Sequence, residues 1–164
     1  MKKIISAVAV AVVLSSAPAL AQAQEASLYG NLGYANVDND IVNLGALEAR
    51  LGIQVTSHLA FEAEAAVGLA DDTVLGTPVE LTSSFGLFAV GRLPVTENID
   101  LLARVGAAGS TFDVGGAPLR EQGKAYGLGI QSFFSPNDGV RLDYTRYDFD
   151  DVADVWSLSY VRKF

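Results

Sequence analysis

The chain has 164 residues, half of them hydrophobic, with 19 acidic against 11 basic side chains and no cysteine. That length suits one domain. The missing thiols exclude disulfides, thiolate nucleophiles and cysteine-bound zinc, and the acidic balance argues against nucleic acid, whose binding proteins carry basic patches.

The first element is a leader. "MKKIISAVAVAVVLSSAPALAQAQ" places Lys2 and Lys3 before an apolar stretch from Ile4 to Leu14, then small residues ending in "ALA". This is the three-part pattern of a secretory signal peptide, with cleavage expected after Ala21. The apolar stretch is too short for a membrane anchor. Residues 1–21 are therefore set apart from a mature domain at 22–164, which keeps nine basic against 19 acidic residues.

The mature chain reads as strands. The first runs over 27–36. In "LEARLGIQV", Leu47, Ala49, Leu51, Ile53 and Val55 oppose Glu48, Arg50, Gly52 and Gln54. In "HLAFEAEAAVGL", Leu59, Phe61, Ala63, Ala65, Val67 and Leu69 oppose Ala60, Glu62, Glu64, Ala66 and Gly68. Period-two alternation of this kind is a strand with one apolar face. A helix would set Glu62 and Glu64 about 200° apart, astride the apolar stripe. Five more segments follow, at 83–93, 99–108, 124–134, 140–147 and 154–164, making eight. The connections alternate in length. Short ones at 56–58, 94–98 and 135–139 carry turn residues, and longer ones are expected at 37–43, 70–82 and 109–123, with a brief one at 148–153.

The charged face collects Glu48, Glu62, Glu64 and Asp143 against Arg50, Arg92, Arg104 and Arg141, four of each sign. The opposite face collects residues such as Phe85, Leu87, Leu101, Val105, Leu128 and Leu142. A water-soluble barrel would turn the apolar face inward; a membrane barrel turns it onto lipid. Strand lengths near the roughly 9–11 residues of a tilted spanning strand, small residues on the charged face and the export signal favour the inverted, transmembrane arrangement. Charges inside a closed barrel must then be paired. Eight strands leave an interior only wide enough for side chains, so a balanced structural network is preferred to a proton or ion path.

In "LEARLGIQVTSHLAFEAEAAVG", "FAVGRLPVTENIDLLARVG", "AYGLGIQSFF", "GVRLDYTRYDF" and the terminal "SLSYVRKF", the sequence resembles the eight-stranded outer-membrane β-barrels of Gram-negative bacteria, of the OmpA transmembrane-domain and OmpX type, over residues 26–164. The resemblance implies an all-β, antiparallel, up-and-down transmembrane barrel with both termini in the periplasm, short turns there and longer loops outside. It implies outer-membrane lipid and lipopolysaccharide as surroundings and the outer-membrane assembly machinery as a partner during biogenesis. Such barrels end on an aromatic residue read by that machinery, so Trp156, Leu158, Tyr160 and Phe164 are expected to form both the closing strand and the insertion signal. Arg162 departs from the apolar residue usual at the third position from the end. The chain closes with the barrel, which leaves no room for an OmpA-like peptidoglycan-binding domain, and a monomer is expected.

Catalysis is not expected, nor is a cofactor. The single histidine, His58, falls in a short turn away from Ser83, Ser84 and Ser110, so no Ser–His pair forms among them. Glu62 and Glu64, a pair of the kind used in acid–base work, face arginines, and ion pairing is the expected role. The loop side carries eleven acidic residues against Arg120, Lys124 and Arg146. No dedicated metal site is implied, since "DFDDVAD" lacks the pattern of a calcium loop; weak bridging of divalent cations to lipid phosphates by Asp148, Asp150 and Asp151 is the most that the spacing suggests. The expected role is structural or surface-interacting in the outer membrane, the alternative a narrow porin-like pore.

Overall fold

The computed structural model describes residues 26–38, 43–70, 72–74, 77–150 and 152–164. The expected leader at 1–21 lies outside the described residues. The strands, in chain order, are β1 (Ser27–Asp38), β2 (Asn43–Thr56), β3 (Leu59–Ala70), the short β4 (Asp72–Val74), β5 (Thr77–Pro94), β6 (Ile99–Val114), β7 (Ala117–Phe133), β8 (Asp138–Asp148) and β9 (Val152–Lys163). β1 to β3 and β5 to β9 pair antiparallel with their neighbours in sequence, β1 pairs with β9, and β3 pairs with β5, so eight strands close into an up-and-down barrel with β4 as an extra rung against β5. Closure pairs both edges of every barrel strand and removes the open edge that an isolated sheet would present.

Turns form where side chains cap the backbone. At one rim, Thr96 Oγ1 accepts from the Ile99 N–H at 3.1 Å, and Ser135 Oγ accepts from the Asp138 N–H at 2.9 Å. These are short local bonds of the kind that favour turns over continued strand. We call this the terminus rim, because β9 ends there. The opposite end is the hairpin rim.

The expected longer connections at 70–82 and 109–123 are mostly strand. β6 and β7 pair from Ile99↔Ser132 up to Val114↔Ala117. Gly115 and Gly116, at φ of 60° and 90°, make the two-residue turn between them, a geometry that glycine adopts without strain and that matches strand twist. The Asp113 carboxylate accepts from the Gly116 N–H at 2.7 Å. Before Ser83, a register shift between Leu81 and Ser83 reverses the inside–outside order. Leu81 is thereby buried although Phe85, four residues on, is exposed. That bulge hides the first part of β5 from a period-two reading.

The alternation sorts the side chains in the inverse of a water-soluble protein. Leu128, Leu158, Leu87 and Val105 are 66, 61, 58 and 61% exposed, whereas Arg141 and Asp143 are each 1% exposed. Apolar residues cover the outside of the barrel all the way round, with Tyr144 and Trp156 in contact at 5.1 Å between ring centroids. A continuous apolar belt over buried charges is stable only with hydrocarbon outside it.

Leu51, 43% exposed on β2, tests this belt. Leu51→Arg is expected to lower the folding free energy in lipid vesicles by about 2–4 kcal/mol, and Leu51→Ala by much less. Equal losses in urea titrations of the two variants would contradict the assignment of Leu51 to the lipid face.

Candidate functional site

Inside the barrel, parity aims seven charged side chains at one level. Glu48 and Arg50 come from β2, Glu62 and Glu64 from β3, Arg104 from β6, and Arg141 and Asp143 from β8; none is more than 3% exposed. Arg50 is the hub. Its Nε donates to Glu64 Oε2 at 2.9 Å, its Nη1 to Asp143 Oδ2 at 2.6 Å and its Nη2 to Ser157 Oγ at 2.9 Å. Arg50 and Glu64 are also direct cross-strand partners, so register alone brings them together.

Other contacts join distant strands. Arg141 Nη1 donates to Glu62 Oε1 at 2.5 Å, while its Nε reaches Asp143, two residues on along β8, at 2.8 Å. Arg104 Nη2 donates to Glu64 Oε2 at 2.6 Å, with its guanidinium 3.6 Å from the Phe88 ring centroid. Two phenols complete the shell: Tyr29 donates to Glu62 Oε1 at 2.7 Å and Tyr147 to Glu64 Oε1 at 2.6 Å. Charge-assisted bonds of this length are the strong ones, and they offset the cost of removing the ions from water.

Glycine makes the room. A Cβ on Gly52 would run into the Tyr29 ring, and one on Gly129 into the Asp143 carboxylate. Both glycines lie on the inner face, where the network leaves no space for a side chain.

Arg92, grouped with the others by its face, sits apart. Its Nη2 lies 2.5 Å from Asp100 Oδ2, which also accepts from Gln131 Nε2 at 2.8 Å, and it donates to Gln54 Oε1. Lys163 reaches the same tier, its Nζ 3.5 Å from the Phe133 ring centroid. Asp100, Lys163, Tyr29 and Tyr147 were not singled out from the sequence. Their parity places them inside, but nothing in the linear pattern says at which height.

The remaining expected sites lie on the outside or the rims. Trp156, Leu158 and Tyr160 face outward on β9, and Phe164 is 75% exposed at the terminus rim. Tyr160 donates to Asp138 there, beside Arg162 at 3.1 Å from the same carboxylate. Asp148 and Asp150 are exposed at the hairpin rim; Asp151 lies outside the described residues. Among the described residues, no group of three or more His, Cys, Asp or Glu is placed to hold a metal ion. His58 sits in the β2–β3 turn, where its Nδ1 lies 2.8 Å from the exposed Ser57 hydroxyl.

The network fills the barrel's cross-section. A cavity of about 30 Å³ lies on its hairpin side and one of about 10 Å³ on its terminus side. A lipid-facing belt around a lumen stoppered by ion pairs defines a small transmembrane β-barrel. The chain belongs to the outer membrane protein beta-barrel domain family, whose model matches residues 7–164. Among solved structures, it is similar to Ail, the attachment invasion locus protein of Yersinia pestis (TM-score 0.65, 18% identity, 85% of this chain and 99% of that one). It is also similar to OprG of Pseudomonas aeruginosa (0.65, 13%, 85% and 96%) and to the N-terminal β-barrel domain of Pseudomonas aeruginosa OprF (0.61, 11%, 85% and 100%). No curated protein sequence matches the chain.

The contacts predict which charges are coupled. Replacing Glu64 or Arg104 alone is expected to cost about 3–5 kcal/mol, because each leaves a buried, uncompensated partner. In double-mutant cycles Arg104→Met and Glu64→Gln should be strongly non-additive, whereas Arg92→Met and Glu64→Gln should add, as these two side chains share no contact. The reverse pattern in urea titrations would refute the two-tier arrangement.

Proposed function

We propose that this outer-membrane barrel has a structural or surface-interaction role and catalyses no reaction. The observation that carries the reading is the plug. Arg50, Arg104 and Arg141 tie β2, β6 and β8 across the lumen to Glu62, Glu64 and Asp143. A pore would have to break several buried ion pairs to open, each costly to lose. The long strands β5, β6 and β7 supply the other half of the argument. At 18, 16 and 17 residues they exceed the roughly 9–11 that a spanning strand uses, so they extend past the hairpin rim as a paired platform.

In this reading the hairpin rim faces the cell exterior and the terminus rim faces the periplasm, the orientation usual for such barrels. Phe164, with Trp156, Leu158 and Tyr160, serves the assembly machinery, and the folded barrel stands as a monomer among lipopolysaccharide. Ail was solved with a heparin analogue, sucrose octasulfate; the acidic residues described at the hairpin rim here include Asp38, Glu80, Asp113, Glu121, Asp148, Asp150 and Asp154, which outnumber Arg120, Lys124 and Arg146, and that surplus of acid favours cationic or cation-bridged partners instead. Among the described residues, the Ser57–His58 contact has no carboxylate hydrogen-bonded to the imidazole, which sets it apart from a catalytic arrangement.

Planar-bilayer recording with the refolded protein should show no stable conducting steps; regular steps would favour the pore. Because the chain has no cysteine, Asp150→Cys, at an exposed position of the hairpin rim, provides a single reporter of orientation. It is expected to react with a membrane-impermeant maleimide on intact cells, and labelling only after lysis would reverse the topology. Deletion of Phe164 should cause unfolded chain to accumulate in the periplasm, read as loss of heat-modifiable gel migration.

A further inference from the structure

The cavity on the terminus side of the plug is walled by cations. Arg92 of β5 and Lys163 of β9, strands that stand opposite each other in the ring, both line it, and Arg141 of the plug lines it from β8. The rest of its described lining is apolar or neutral, and no carboxylate borders it. Asp100, the acid of this tier, is held by Arg92 Nη2 at 2.5 Å and by Gln131 Nε2 at 2.8 Å. Arg92 and Lys163 against Asp100 leave one positive charge over.

Two of these cations keep a donor without an acceptor. Arg92 donates through Nη1 to Gln54 and through Nη2 to Asp100, yet its Nε is buried and makes no hydrogen bond, on a side chain only 9% exposed. Among the described residues, Lys163 forms no ion pair and its Nζ no hydrogen bond; the Nζ lies 3.5 Å from the Phe133 ring centroid. Arg141, by contrast, directs its donors to Glu62 and Asp143. A buried donor without an acceptor is costly. A water could accept from Arg92 and Lys163, but it would leave the surplus charge in place. An anion accepts from both and cancels it, and bonds between ionised partners are the stronger kind.

We propose that this cavity is a binding site for one small inorganic anion, chloride being the species that fits. The anion accepts from Arg92 Nε and Lys163 Nζ and neutralises the tier. Size limits the class. A cavity of about 10 Å³ has the room of a single water, so a monatomic halide enters and carboxylates, phosphates and other polyatomic anions do not. Lys163, half-buried where β9 ends at the terminus rim, gives the ion its way in.

Chlorine-35 NMR tests this. Sodium chloride is titrated into the folded protein in nonionic detergent micelles, in a sodium gluconate buffer. The expected result is excess broadening of the chloride line that saturates with concentration and that sodium bromide reverses. Lys163→Gln, which removes the surplus charge at nearly constant size, should weaken binding at least about tenfold. Val161→Leu, which fills the cavity and keeps every charge, should also weaken it. Arg162→Gln removes a cation from the same rim at an exposed position outside the barrel, and should leave binding unchanged. Heat-modifiable migration establishes that each variant is folded. Broadening that is absent, that fails to saturate, or that persists in folded Lys163→Gln would overturn the assignment and leave the cavity to water. Equal loss in Arg162→Gln would overturn it in favour of the rim surface. Should Val161→Leu not fold, the Lys163 and Arg162 variants still decide the matter.

Discussion

A lumen filled by its own side chains must pair the charges it encloses, and this constraint organises the molecule. Closing eight strands leaves an interior of side-chain width. Once Arg141 and Asp143 are 1% exposed, neither can be left to the solvent, and each must meet its complement across the barrel. The register then has little freedom. A slip of one residue on β3 would send Glu62 and Glu64 into the lipid and Phe61 and Ala63 into the plug. The ion pairs therefore specify the fold more clearly than they stabilise it, since an apolar core of equal volume is often as stable as a buried salt bridge.

The two faces of the wall were legible in the sequence because a strand has a strict period of two. The eight segments, the closing strand and the inward set of charges all follow from that parity. Height along the barrel axis does not. Arg92 shares parity with Arg104, yet it pairs with Asp100 one tier away, and Arg141 meets Glu62 79 residues distant in the chain. Those meetings depend on how strands stagger around the closure, which no single segment encodes. The hairpins were hidden for another reason. Residues 109–123 carry Gly, Pro and charge in the manner of a loop, but beyond the membrane a strand needs only its partner and a competent turn, here Gly115–Gly116. In β5, the register shift next to Leu81 breaks the alternation at the point where its first part would have been recognised.

The family relationship adds the setting to this physics without adding a chemistry. Similar barrels at 11–18% identity share the wall, and a wall built on parity tolerates nearly any sequence that keeps the pattern. What individualises this chain is inside it: the three guanidinium groups of Arg50, Arg104 and Arg141, and the glycines that leave room for the network.

Charge balance has to be read over the whole lumen rather than tier by tier. The plug carries four carboxylates with three guanidinium groups, while the terminus-side tier carries Arg92 and Lys163 with only Asp100. Carboxylates outnumber cationic groups by one in the first tier, and the reverse holds in the second. In a medium of low dielectric, separating unlike charges is costly. The Lys163 ammonium reduces that cost by resting on the Phe133 ring at the rim, near solvent. At the other end Glu48 is buried with its Oε1 2.7 Å from Arg50 Nη2. The positive end is thus relieved by a ring and the solvent, the negative end by the one guanidinium that also serves Glu64 and Asp143.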